Sequence, residues 1–145
     1  MIDKRIVEFI KEHHVMTIAS SDGTDLWCAN VFYVYDPVLP GFIFTSDIET
    51  RHISLALGES HNIITGSIVL ETETVGIIRG LQFRAELAPS DKSLTSKHKL
   101  AYLKRFPYAI LKDSELWHCA LLELKFTDNR LGFGKKICWE RPSAE

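Results

Sequence analysis

The sequence has no surplus of positive charge. Seventeen Lys and Arg stand against nineteen Asp and Glu, a formal net charge of −2. Neutralising a phosphate backbone takes a clear basic excess, which argues against nucleic acid as the main partner. Long apolar runs are also missing: none approaches the roughly 20 residues of a membrane span. The opening stretch MIDKRIVEFIKEHH is charged throughout and lacks the apolar segment of a secretory leader. A cytoplasmic address without a membrane partner is the expectation. Cysteine is sparse. Cys28, Cys119 and Cys138 are odd in number, far apart and set beside large apolar residues, which predicts buried inert thiols rather than disulfides. Without a CxxC pair, an HxxxH or an HExxH, no metal site is expected. His13 and His14 are adjacent and would point about 100° apart on a helix. LGFGKK fails as a phosphate loop, because Asn129 stands where the first glycine belongs and no Ser or Thr follows the lysines. No G-x-S-x-G elbow supports a hydrolase.

What is present suits one globular domain, residues 1–145, with 46% apolar and 25% charged residues. Residues 3–13 read as a helix capped by Asp3, with Ile6, Phe9, Ile10 and His13 on one face. Strands are predicted at 15–20 and 26–35, joined by an Asp22-Gly23 turn. The second, LWCANVFYVY, is apolar on both parities, which predicts that both its faces are covered. A third strand, FIFTS, precedes a short helix from about Glu49 to Leu57, closed by Gly58. Strands follow at 61–69 and 74–87, the latter alternating Leu81, Phe83, Ala85 and Leu87 against Gln82, Arg84 and Glu86 until Pro89 stops it. A helix over 91–105 with a basic end, a strand over 116–127 and a short edge strand over 135–140, guarded by Lys135 and Lys136, complete the pattern. The fold class is mainly β, a β-barrel with flanking helices. Six or seven largely antiparallel strands joined by short turns remove their edges by closing into a small barrel.

The chemistry concentrates in FIFTSDIETRH. A strand end, a hydroxyl-bearing turn and a helix N-terminus together expose unpaired N–H groups and partial positive charge. Thr45, Ser46 and Thr50 can donate hydrogen bonds, and Arg51 can hold two oxygens at once. The same residues fit two accounts: a phosphate site, or ordinary helix capping by Ser46 (with Glu49) or Thr50 beside a solvated Arg51.

This layout resembles the flavin-phosphate stretch of the pyridoxamine-phosphate-oxidase-like, FMN-binding split barrels. LWCANVFY, TRH, IRGLQF, RFPYA and KFTDNRLGFGKK together resemble, nearly end to end, a small bacterial family, the YhbP-type proteins. The resemblance implies a split barrel in which Thr45, Ser46, Thr50 and Arg51 contact an FMN phosphate and His52 lines the edge. It also implies a homodimer with flavin at the interface and a flavin-dependent oxidoreductase acting on a small molecule. Three further residues are candidates. Asn30 fits either the polar rim of an isoalloxazine ring or a satisfied core amide. Arg79 needs an anion, either a carboxylate or a ligand phosphate. Trp117 fits either a flavin neighbour or a core indole. No acid–base residue is nominated. The alternative to an enzyme is a non-catalytic barrel that binds another ligand or holds no cofactor.

Overall fold

The first helix shows how local chemistry fixes an element. In the computed structural model, which describes residues 1–91, 95–111 and 114–144, α1 spans Lys4–Glu12. The Asp3 carboxylate accepts from the Arg5 backbone N–H at 2.8 Å and from the Arg5 guanidinium at 2.9 Å, which holds its carboxyl down to about 2. Ile6, Phe9 and Ile10 form the buried face at the expected helical spacing. The helix stops at His13, whose Nδ1 donates to the Phe9 carbonyl at 2.8 Å.

Among the described residues eight strands follow: β1 Val15–Ser21, β2 Leu26–Phe32, β3 Val34–Asp36, β4 Gly41–Thr45, β5 Ile63–Val69, β6 Arg79–Pro89, β7 Leu116–Asp128 and β8 Lys136–Glu140. All are antiparallel, in the order β2-β1-β5-β6-β7-β4-β3, with β8 pairing the far half of β7. The expected strand over 26–35 is therefore two. Phe32 pairs with Val15 of β1, and Val34 pairs with Ile43 of β4. Between them Tyr33 turns inward, its hydroxyl donating to the Ile10 carbonyl at 2.6 Å. The two margins of the sheet are thus consecutive pieces of one chain segment, and the sheet curls back to its own beginning. This is a split β-barrel.

β6 and β7 carry the longest ladder. Its register shifts between Arg84 and Ala85, where Arg84 faces Glu123 and Ala85 faces Leu121, a bulge that bends the sheet. The interior is aromatic. Phe42 sits 5.1 Å from Tyr33 and 4.9 Å from Phe83, ring centre to ring centre, and Phe9 of α1 closes onto Phe126 at 5.1 Å. Gly41 is required by close approach: a Cβ there would press on the Cys119 carbonyl oxygen and lie 2.8 Å from the His118 ring.

α2 (Arg51–Gly58) packs on β1 and β2, and α3 (Thr95–Arg105) packs on β3, β4 and β7. The expected helix start at 91 falls partly on residues 92–94, outside the described ones. Among the described residues no helix is long and apolar enough to cross a membrane.

Two expectations need correction. Cys119 is fully buried and its thiol is pushed up to about 12 by desolvation, but Cys28 and Cys138 are exposed. Both lie on strands with few neighbours, β2 and β8, so nearby apolar residues do not bury them. β2 is also not covered on both faces: Leu26, Trp27 and Phe32 are 74%, 47% and 51% exposed.

Candidate functional site

The hydroxyl cluster begins where β4 ends. Thr45 pairs with Leu116, and the next residue, Ser46, donates its backbone N–H to the Glu115 carbonyl at 3.0 Å. From the other side the Trp117 indole donates to the Ser46 carbonyl at 2.8 Å. The turn is therefore pinned through its backbone, leaving its hydroxyls to face one another. Ser46 Oγ lies 2.7 Å from His52 Nε2 and 3.4 Å from Thr50 Oγ1, and His52 Nε2 is also 3.4 Å from Thr50 Oγ1. Ser46 is buried and His52 half-buried. Desolvation holds the His52 imidazole below its usual range.

Thr50 occupies the N-cap position of α2 but makes no side-chain cap bond. Its hydroxyl donates backwards instead, to the Asp47 carbonyl at 2.8 Å. The Thr50 cap is not formed, since its side chain makes no cap hydrogen bond, and the Ser46 hydroxyl faces His52 at 2.7 Å. Ser46 is drawn to the half-buried imidazole, and Thr50 spends its hydroxyl proton on the Asp47 carbonyl.

Arg51 is held at the surface. Its Nη2 donates to Asp25 Oδ2 at 2.6 Å, and its guanidinium lies 4.1 Å over the Trp27 ring. These contacts tie α2 to the β1–β2 hairpin. The hydrogen bond from Arg51, then one from the Leu26 N–H, lower the Asp25 carboxyl. Both side chains of the pair are about half exposed, so water competes and the ion pair contributes little net stability.

Asn30 lies on the exposed face of β2, not in the core. Its Oδ1 accepts from the Thr17 hydroxyl at 2.7 Å. A cleft of about 350 Å³ brings it together with Thr45, Val15, Val31, Phe32 and Tyr102. Arg79 is engaged elsewhere. It donates to Glu12 Oε2 at 3.1 Å and lies 5.4 Å over Phe9, so its anion is a carboxylate of α1, although its Nε is buried without a partner. Trp117 is buried and reaches the cluster only through the Ser46 carbonyl. The fold thus gathers Thr45, Ser46, Thr50, Arg51 and His52 around one turn, sets Asn30 in a cleft shared with Thr45, and gives Arg79 other partners.

Sequence reasoning missed Tyr102, Asp25 and Trp27. The Thr45 hydroxyl donates to the Tyr102 hydroxyl at 3.4 Å, across 57 positions of chain. Only the helical spacing of His98 and Tyr102 hinted at an inward face on α3. A second cleft, of about 480 Å³, lies on the outer sheet face between Thr17, Thr65, Ser67, Gln82, Arg84 and Lys125. The outward parity of Gln82 and Arg84 was the only signal for it.

The described residues align with solved split barrels. A heme binding protein from Mycobacterium smegmatis superposes with a TM-score of 0.75 at 12% identity, covering 91% of this chain and 55% of that one. The FAD binding protein from the same organism superposes with a TM-score of 0.70 at 10% identity, covering 96% and 98%. At these identities the likeness is one of fold alone. No protein-family model matches the chain. Relatives in sequence are nearer. A UPF0306 protein of Cronobacter sakazakii (strain ATCC BAA-894) is 41% identical over 136 residues, covering 94% of this chain and 93% of the relative. A UPF0306 protein of Serratia proteamaculans (strain 568) is 37% identical over 138 residues, covering 95% and 94%. Identity at this level over nearly the whole of both chains means that the chain belongs to the UPF0306 family.

Proposed function

We propose that the chain binds FMN as a YhbP-type split barrel, and that it works in the cytoplasm as a homodimer with flavin at the interface. The observation that carries this reading is the donor set at the start of α2: a helix N-terminus whose N-cap residue, Thr50, makes no side-chain cap bond, beside Ser46 and His52. A phosphate ester fits that set, because it offers acceptors to the N–H groups of a helix N-terminus. Arg51 joins by exchanging Asp25 for phosphate oxygens, an exchange favoured by the exposure of the pair. Thr45 and Asn30 would line the cleft toward the ring. Bound FMN would supply two-electron redox chemistry toward a small molecule or a pyridine nucleotide, and the chain's part is to hold and orient it.

The exposed apolar strand β2 supports the dimer. Leu26, Trp27 and Phe32 flank the cluster and are natural material for a subunit contact. The FAD binding neighbour is consistent with a flavin, as the heme binding one is with heme, so the choice of flavin rests on the donor set.

The purified protein is expected to be yellow, with oxidised-flavin absorption, or to quench flavin fluorescence saturably when FMN is added. Arg51→Ala should weaken FMN by about tenfold or more, the scale of a lost charged hydrogen bond. The Asp25–Arg51 pair favours a second reading, a non-catalytic module for another ligand. No saturable binding at high micromolar FMN would select it, and a Soret band in place of flavin absorption would point to heme.

A further inference from the structure

Asp36, at the end of β3, is buried with two imidazoles on one carboxylate oxygen. Its Oδ1 accepts from the backbone N–H of Val38 at 2.9 Å. Its Oδ2 lies 3.2 Å from Nε2 of His98, on α3, and 3.2 Å from Nε2 of His118, on β7. The two rings are 5.5 Å apart and within 12° of parallel. Exposures of 6%, 7% and 6% for Asp36, His98 and His118 put the whole group out of bulk water.

Hydrogen positions follow from the partners. His118 Nε2 is also 3.1 Å from the Leu39 carbonyl. Carboxylate and carbonyl can only accept, so both Nε2 atoms carry hydrogen. On the far side of His98, Nδ1 is 2.7 Å from Ser90 Oγ and, in the neutral ring, accepts the hydroxyl proton. With both rings neutral these contacts are all satisfied, at a net charge of −1. One added proton brings the group to neutrality. A second leaves two cations against one carboxylate in a desolvated place. The other groups facing it do not help. Lys97 of α3 lines a cavity of about 210 Å³ with Asp36 and His98 and adds positive charge. Tyr35 of β3 is held neutral, its phenol raised by burial and by the Asp36 charge. Desolvation, with His98 contributing, lowers the His118 imidazole against the pull of Asp36. Among the described residues no three of His, Cys, Asp and Glu are placed to hold a metal ion.

We propose that Asp36, His98 and His118 form a proton-operated clasp that docks α3 on the barrel and releases it when the second imidazole is protonated. The three residues come from three elements, and His98 is one of two buried side chains of α3. The other is Tyr102, which bonds Thr45 in the cleft. Opening the clasp therefore withdraws a wall of that cleft. Docking of α3 stands independently of the flavin reading, whereas any effect on FMN affinity rests on it.

Hydrogen exchange of the intact protein without FMN, compared at about pH 7.5 and about pH 5.0 after correction for intrinsic rates, tests the clasp. Amides of 95–106 should lose protection by about tenfold or more relative to those of β6 and β7 at the lower pH. His118→Gln and His98→Gln keep a side-chain N–H for Asp36 without a titrating ring, and each should flatten that response. Equal relative protection at both pH values in the unsubstituted protein would overturn the proposal. So would a loss shared equally by helix and strands, or both variants retaining the response. An FMN titration at the two pH values separates the readings: no binding at either, with α3 still released by acid, removes the flavin and leaves the clasp.

Discussion

Gly41 lies where three constraints meet, on β4, against the Cys119 carbonyl and under the His118 ring. Gly41→Ala should cost about 1–3 kcal/mol, because backbone must move to admit the methyl group. The urea midpoint should fall with an unchanged slope. Ser46→Ala removes the hydroxyl that faces His52 at 2.7 Å in a half-buried place. A loss of roughly 1–3 kcal/mol is expected, measured the same way, since the imidazole loses its near partner. The pH dependence of stability has a definite sign. Burial lowers His52 and His118, so the unfolded chain binds more protons than the folded one below an ordinary imidazole value of about 6.5. Their contribution is complete above that pH and is lost as pH falls from there through the lowered folded values. Thermal melts from neutral toward about pH 5 should show Tm falling, and the fall should shrink in His52→Gln.

At the scale of elements, β2 is the exception. A strand buried within a monomer would hide Trp27 and Phe32, yet here they are about half exposed beside Leu26. In the proposed dimer this strand is covered by the second subunit. Phe32→Glu should then shift the mass measured by light scattering from dimer to monomer, while the far-ultraviolet circular dichroism stays unchanged. A dimer that survived this substitution would place the contact elsewhere. Element by element, legibility in the sequence followed how local the cause was. α1 could be read because Asp3, Ile6, Phe9 and Ile10 act within two turns. β6 could be read where its alternation is clean, Leu81 to Leu87, but the expected start at 74 fails because Val75–Ile77 form a 3-10 turn and the strand begins at Arg79. The break at Tyr33 could not, because that residue continues an apolar run and its inward turn depends on the Ile10 carbonyl 23 positions away. The hydroxyl turn was visible as a cluster, but the preference of Ser46 for His52 over helix capping depends on burial, which spacing does not encode.

For the whole molecule, barrel closure was anticipated from strand count and short turns, but its device was not. Contacts that join distant segments, such as Asp36 with His98 and His118, or Thr45 with Tyr102, have no one-dimensional signature because each depends on the finished curl. Closure also concentrates the core on few side chains. Phe42 is buried at zero exposure and touches the rings of Tyr33 and of Phe83 on β6, so Phe42→Ala should cost about 3–5 kcal/mol and make the melt markedly less cooperative.

The shared segment 26–36 has one more consequence. A cylinder sealed only by a last row of hydrogen bonds can unzip along that row, but here the seam is the covalent chain itself, passing through Tyr33 from β2, paired with β1, to β3, paired with β4. A permuted chain opened at the Asp22–Asp25 turn would keep its hoop intact. A protease nick at Tyr33 would leave every other ladder in place and still let the wall spring apart.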